Sequence, residues 1–258
     1  MKPIAAVLVL LLLAAPQLRA QDLADACHVR SSYDLTLSPG TLAFDRAAPA
    51  PRHIQLGHGR LAVDGRDVAL DAEQHDRAVL FEADLRALVP KVRALARRGV
   101  DVALEALRAE AAGIGDDATQ QALEQRLATH AADLKRRIDR STSTRDWQDE
   151  GFTHYIDAVL ADVAPLLAGA LADQAVQDAL AGDIDAAAAL RERAASLATG
   201  LQPRLEHRLE ALRPQVQALC PDVARLAELQ RGLRDANGRA LDLLEVGSPV
   251  SSARSRRR

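Results

Sequence analysis

The fold is decided by the stretch of residues 71–237, of which residues 117–140, DATQQALEQRLATHAADLKRRIDR, are typical. Apolar residues recur in this segment at steps of three or four: Leu123, Leu127, Ala131, Leu134 and Ile138. Polar and charged residues occupy the opposite face, so the segment predicts an amphipathic helix that Asp117 caps. Comparable stripes along the rest of the stretch predict about five such helices.

Breaks in the pattern mark where these helices begin, bend and end. Asp71 and Gln74 resemble a capping box at the start of the first helix. Pro90 predicts a kink or a break there, because proline lacks an N–H and crowds the preceding turn. Residues 184–219 approximate a heptad repeat, which predicts coiled-coil packing against a partner helix. The last clear helix is predicted to extend to Asn237.

Residues 33–70 differ, because β-branched and apolar residues alternate with polar ones between turns. Residues 59–63 and 66–70 flank Asp64-Gly65, a strong hairpin signal because both turn residues take positive φ. We therefore predict a small N-terminal antiparallel sheet with one face packed on helices. The predicted fold class is mainly α (α+β), a helical bundle, compact or elongated, joined to this small sheet.

The N-terminus has the pattern of an export signal. Lys2 precedes an uncharged apolar run over residues 4–15, too short to span a bilayer, and Pro16 ends it. A cleavable signal peptide over residues 1–20 is predicted, which places the mature protein in the periplasm. An uncleaved anchor is the alternative.

The mature chain is expected to have three parts. Residues 21–70 form the N-terminal segment with the sheet, and residues 71–247 form a helical body packed with it as one domain. Residues 248–258 are predicted to be a disordered basic tail, since they carry four arginines and no acid. We expect one of two roles for the tail. It makes weak contact with an anionic membrane surface through charge alone, or it is solvated and has no role.

The charge balance bears on the class of partner. Residues 21–247 hold 27 Lys and Arg against 36 Asp and Glu, a formal charge of −9. An acidic body argues against general nucleic-acid binding. The sequence therefore favours a protein partner in the envelope over a nucleic acid.

The chain has two cysteines, Cys27 and Cys220. Export places both in an oxidising compartment, so we predict that they form a disulfide. In the chain-entropy model so large a loop contributes roughly 4–5 kcal/mol of stability. The alternatives are a reactive thiol pair, which no CxxC spacing supports, and a metal site, for which His28 beside Cys27 is a thin ligand set.

The most site-like stretch is residues 146–155, DWQDEGFTHY. One interpretation makes His154 a general base oriented by Asp149 or Glu150. A structural interpretation, which we favour, makes the stretch a helix start with acids in the first turn and Tyr155 in the core. Between them, Trp147 is a candidate anchor for a partner protein. Trp147, His154 and Tyr155 are therefore interaction candidates.

Other chemistry is weakly indicated. The sequence contains no phosphate-binding glycine loop, GxSxG elbow or HExxH motif. His53 and His58 lie in the predicted strand region and are candidates for a metal, but surface histidines are the more common explanation. We assign no catalytic, cofactor-binding or metal-binding residue, and the protein leans away from being an enzyme.

The chain resembles the YggN-like family of exported bacterial proteins, a domain of unknown function. The features that carry the resemblance are Cys27, the hairpin of residues 59–70, the LRALVP sequence of residues 85–90, His154-Tyr155 and Cys220. The resemblance implies a periplasmic protein with a cysteine pair. It brings no activity with it.

Three functions follow as hypotheses. The first is a non-enzymatic helical binding or scaffolding protein of the periplasm, with an envelope protein as its partner. The second is a periplasmic hydrolase-like enzyme with a site near His154. The third is a peripheral membrane-surface protein that uses the arginine-rich tail.

Overall fold

The computed structural model describes residues 26–147 and 150–247. The predicted signal peptide and basic tail lie outside these residues. Within the described helices, the side chains at 150–158, 160–161, 164–165 and 197–202 are also outside the description.

The chain divides into two compact units. The sheet unit contains described residues 26–94, 141–147 and 213–247, and the helical unit contains residues 95–140 and 150–212. The division does not fall at residue 70, because the first half of the long helix and the C-terminal segment belong with the sheet. The expectation that the mature chain packs as one domain stays a prediction.

The sheet unit contains a five-stranded antiparallel sheet in which each strand pairs with the next along the chain. Its strands are β2 (Asp34–Ser38), β3 (Thr41–Asp45), β4 (His53–Gly57), β5 (Arg60–Val63) and β6 (Arg66–Val68), and two short strands, β1 (Val29–Arg30) and β7 (Glu245–Val246), pair separately. The turn between β5 and β6 places Asp64 at φ 48° and Gly65 at φ 77°. The predicted Asp-Gly hairpin and small antiparallel sheet are confirmed, and the sheet is larger than one hairpin.

Six α-helices lie in the described residues, where about five were predicted. They are α1 (Ala72–Ala111), α2 (Asp117–Arg140), α3 (Glu150–Leu180), α4 (Ile184–Leu209), α5 (Arg213–Gln217) and α6 (Cys220–Gln230). The additional helix arises because a 3-10 turn over residues 210–212 separates α4 from α5. That turn also interrupts the heptad pattern of residues 184–219, and coiled-coil packing stays a prediction.

The observed starts of α1 and α2 and the continuity of α1 can be compared with the predictions from the sequence. The capping box is present, since the backbone N–H of Gln74 donates to the Asp71 carboxylate at 2.8 Å. α1 continues through Pro90 as a single helix. The N-cap of α2 is Asp116 rather than Asp117, because its carboxylate accepts from the backbone N–H of Thr119 at 2.8 Å.

The C-terminal segment also differs from prediction. α6 ends at Gln230 rather than at Asn237, and a turn follows in which the Asp235 carboxylate accepts from the backbone N–H of Asn237 at 2.8 Å. Beyond that turn, residues 245–246 form the strand β7. That strand pairs with β1, so Val29 lies opposite Val246. A pairing between residues so far apart leaves no local pattern in the sequence.

The core of the sheet unit forms where the first half of α1 covers one face of the sheet. Apolar side chains of alternating strand positions are almost completely buried there: Leu42, Phe44, Ile54, Leu56 and Leu61. Phe44 contacts Phe81 of α1, with ring centroids 6.2 Å apart. Ala78, Leu85 and Leu88 continue the buried stripe of α1. The apolar face formed by every second strand residue therefore packs against the apolar face that recurs about every 3.6 residues along α1.

A disulfide joins the two ends of the sheet unit. Cys27 and Cys220 are bonded, with Cα atoms 5.1 Å apart and a sequence separation of 193 residues. Nearby, Ser31 donates to the backbone carbonyl of Leu243 at 2.7 Å. The cysteine pair predicted from the sequence is therefore present and lies beside the β1–β7 pairing.

The helical unit is built on two small apolar clusters. The first centres on Ala111, Leu123 and Leu127, and the second on Ile114, Ala170 and Leu171. Leu167 packs against both clusters, so α3 joins them. None of the described helices combines the length and the apolar character needed to cross a membrane.

Replacing both cysteines with alanine should lower the free energy of unfolding of the sheet unit by about 4 kcal/mol. The disulfide of Cys27 with Cys220 closes a very long loop and so restricts the unfolded chain strongly. The fluorescence of Trp147, the chain's one tryptophan, follows unfolding of this unit in urea. The reduced wild-type protein should match the double variant. An unchanged urea midpoint in both samples would contradict this role.

Candidate interaction site

The hairpin between α3 and α4 has a well-defined turn. Gly182 takes φ 81°, the left-handed conformation that glycine adopts after a helix end. The backbone N–H of Asp183 donates to the carbonyl of Asp178 at 2.9 Å, and that of Gly182 donates to the carbonyl of Ala179 at 3.2 Å. This pair of bonds is a Schellman motif. The Asp183 carboxylate then caps α4 by accepting from the N–H of Ala186 at 2.9 Å.

Large aliphatic side chains are exposed at this hairpin tip, which we define as residues 173–185. Val176 is 58% exposed, Leu180 84% and Ile184 67%. Val176 and Leu180 are four positions apart on α3 and therefore share one face of that helix. Single exposed aliphatic residues are common on protein surfaces, but three within nine residues, two on one face of α3 and the third at the start of α4, are suited to contact with another molecule.

The tip is acidic as well as apolar. Asp173, Asp183 and Asp185 are exposed and Asp178 is half-buried, and none of the four forms an ion pair within the described part of the chain. Residues 151–190 contain six aspartates and neither lysine nor arginine. The tip therefore combines exposed aliphatic side chains with a net negative charge.

Trp147 has a structural role. It ends a 3-10 turn over Thr144–Trp147, where its indole N–H donates to the Ser141 hydroxyl at 2.7 Å and its side chain is half-buried. The same segment covers the free edge of β2, because the backbone N–H of Leu37 donates to the carbonyl of Thr142 at 2.8 Å. These contacts favour the structural interpretation of Trp147.

Of the other sequence candidates, only His53 and His58 have described side chains, and these two make separate contacts. His154 and Tyr155 lie in α3, but their side chains are outside the described residues. His53 contacts the Asp45 carboxylate at 2.5 Å, and the backbone N–H of His58 donates to Glu82 at 2.8 Å. No group of three metal-ligating side chains gathers within the described residues.

The structure shows one charged cluster that the sequence analysis missed. In the helical unit, Asp162 of α3 contacts His130 at 2.8 Å and also binds Arg126, both from α2. The hydrogen bond from His130 is the main reason that the pKa of Asp162 is lowered, and the charge of Arg126 acts in the same direction. Arg126 and His130 are four positions apart, so one face of α2 was detectable from sequence, but its partner on α3 was not.

A shallow groove lies further along α2. It has a volume of about 410 Å³, and its described lining consists of Asp133, Arg136, Arg137 and Arg140. Asp133 forms an ion pair with Arg136. The groove therefore mixes charges of both signs and suits a small anion better than an apolar ligand.

The fold and the hairpin tip define a mostly helical α+β protein, closed by one disulfide, with an exposed apolar and acidic surface. The chain belongs to the family described as protein of unknown function DUF2884, whose model matches residues 27–241. Comparison with curated proteins and with solved structures finds no match.

Replacing Asp162 with asparagine should lower the thermal midpoint at neutral pH. The folded protein holds this carboxylate ionised, so its pKa lies below the ordinary value of 3.8. The stabilisation is therefore present above about pH 4 and is lost as the pH falls through the lowered pKa, because the unfolded chain binds the proton first. The difference between wild type and Asp162→Asn, followed by circular dichroism, should shrink below about pH 4.

The matched control is Asp173→Asn, an exposed aspartate on the same helix without an ion pair in the described residues. It should leave the midpoint nearly unchanged at every pH. A gap between wild type and Asp162→Asn that stays constant down to the lowest pH would count against the ionised cluster.

Proposed function

We propose that the chain is an exported, non-enzymatic protein of the bacterial periplasm that binds an envelope protein through the hairpin tip. The observation that carries the proposal is the exposure of Val176, Leu180 and Ile184 beside a hydrogen-bonded turn. Exposed apolar patches on folded domains mark sites of association. A turn fixed before binding also reduces the entropy lost when the complex forms.

The compartment is supported by the disulfide. Bonds such as that of Cys27 with Cys220 persist in oxidising compartments and are rare in the bacterial cytosol. The export pattern of residues 1–20 and the resemblance to the YggN-like exported proteins support the same location. The periplasm is therefore the compartment that accounts for all three features.

Deleting residues 1–20 should keep the protein in the cytoplasm with free thiols. The full chain should instead be released by osmotic shock with Cys27 and Cys220 oxidised, as read by alkylation of free thiols. The control is the full chain with both cysteines replaced by alanine, which should still be exported if the leader alone directs export. Cytoplasmic retention of the full chain would contradict the assigned compartment.

The tip itself is testable by photo-cross-linking in the cells that produce the protein. A cross-linking amino acid at Val176 should give one dominant heavier product, because this side chain lies in the proposed contact surface. The same group at Ala132, an exposed position on α2, should not give that product. Adding Leu180→Ser and Ile184→Ser should remove it.

The serine substitutions should change the free energy of unfolding by less than about 0.5 kcal/mol each, since both side chains are largely exposed. Loss of the product therefore reports binding and not misfolding. Identical products from Val176 and Ala132, or none from either, would contradict the tip as the binding surface.

A further inference from the structure

We propose that the partner segment bound by the hairpin tip is a basic polypeptide stretch that carries large apolar side chains. This inference rests on the proposed function and specifies the chemistry of its partner. Four aspartates lie at the tip, Asp173, Asp178, Asp183 and Asp185, around the aliphatic side chains of Val176, Leu180 and Ile184. The partner must complement both features.

The apolar component sets the kind of ligand. Leu180 is 84% exposed and Ile184 67%, so these side chains project into solvent and do not line a cavity. Small molecules bind in concave sites that bury most of their surface. Projecting aliphatic side chains instead insert between the side chains of another polypeptide, as anchor residues do at protein interfaces.

The acidic component sets the charge of the ligand. Between residues 168 and 190 the chain has four aspartates and no basic residue. None of these carboxylates has an ionic partner in the described part of the molecule. A basic segment gains from this field, and an anionic phospholipid surface is repelled by it.

The charge also argues against a second copy binding tip to tip. A symmetric dimer places the same patch on both sides of the interface. Both sides of such an interface would then carry the same four aspartates. Like charges facing each other across an interface disfavour association, so the complementary surface belongs to a different, basic protein.

The test uses the full mature chain and a labelled synthetic peptide of lysine and leucine with apolar residues at helical spacing. Fluorescence anisotropy should show saturable binding that weakens as salt is raised. The variant Asp173→Asn, Asp178→Asn, Asp185→Asn should bind about tenfold more weakly. Leu180→Ser with Ile184→Ser should reduce binding by about the same factor.

Matched controls separate this site from the general acidity of the body. Replacing the exposed acids Glu105, Asp117 and Glu192 of the helical unit with their amides removes the same charge elsewhere and should leave binding within about twofold. A glutamate–leucine peptide of the same spacing should not bind. Asp183 is left intact because it caps α4.

Absence of peptide binding, equal binding to the tip variants, or binding of the glutamate–leucine peptide would each overturn the inference. So would tip-dependent binding to phosphatidylglycerol or phosphatidylcholine vesicles, or tip-dependent self-association in sedimentation. A specific cross-link from Val176 without lysine–leucine binding would keep the proposed function and reject only the basic partner. If the chain with the cross-linking group at Val176 gives no product in cells but still binds the peptide, the proposed function is rejected.

Discussion

The disulfide between Cys27 and Cys220 joins the first and last pieces of the sheet unit and constrains how they can separate. This unit is assembled from three separate pieces of the sequence, and its first and last pieces are joined only by long-range contacts. Bringing such distant residues together costs loop-closure entropy before any contact forms. The disulfide restricts the unfolded chain and so reduces the entropy lost on folding. The pairing of β1 with β7 lies beside it.

The open edge of the sheet accounts for the polar residues of 141–147, a segment that shares only Asp146 and Trp147 with the stretch 146–155. An uncovered edge strand presents unpaired N–H and C=O groups to other chains. Residues 141–147 cover β2, where Arg145 binds Asp34 at 2.8 Å and the Thr144 hydroxyl accepts from the backbone N–H of Leu35 at 3.0 Å. The Asp146 carboxylate holds the turn by accepting two backbone N–H groups. The polar side chains of residues 141–147 are therefore used in contacts with β2 and in holding their own turn.

Local patterns predicted the parts of the fold that local interactions determine. The Asp64-Gly65 hairpin and the capping box of Asp71 depend on residues within a few positions, so the sequence was sufficient. The partner of β1 and the ion pairing of Asp162 depend on residues far away along the chain, which no single-sequence periodicity encodes. Pro90 does not break α1, because proline's local cost is outweighed by the buried side chains of Leu85 and Leu88 that fix α1 on the sheet, and a kink there stays a prediction.

The exposure of the hairpin tip could not be predicted from the sequence pattern either, because its apolar residues continue the apolar stripe of a helix that faces the core. The structure separates them by burial: Leu171 lies in the second apolar cluster and Leu190 packs against it, whereas Leu180 between them is exposed. Alanine occurs at positions 175, 179 and 181 of the tip and at 186–189 beyond it, and alanine would satisfy the helices at positions 176, 180 and 184 with equal or better propensity. The turn itself is held by Gly182 and the Asp183 cap. Because these side chains are largely exposed, they add little to this hairpin's own stability that alanine lacks, and contact with another molecule is the physical reason we propose for their presence.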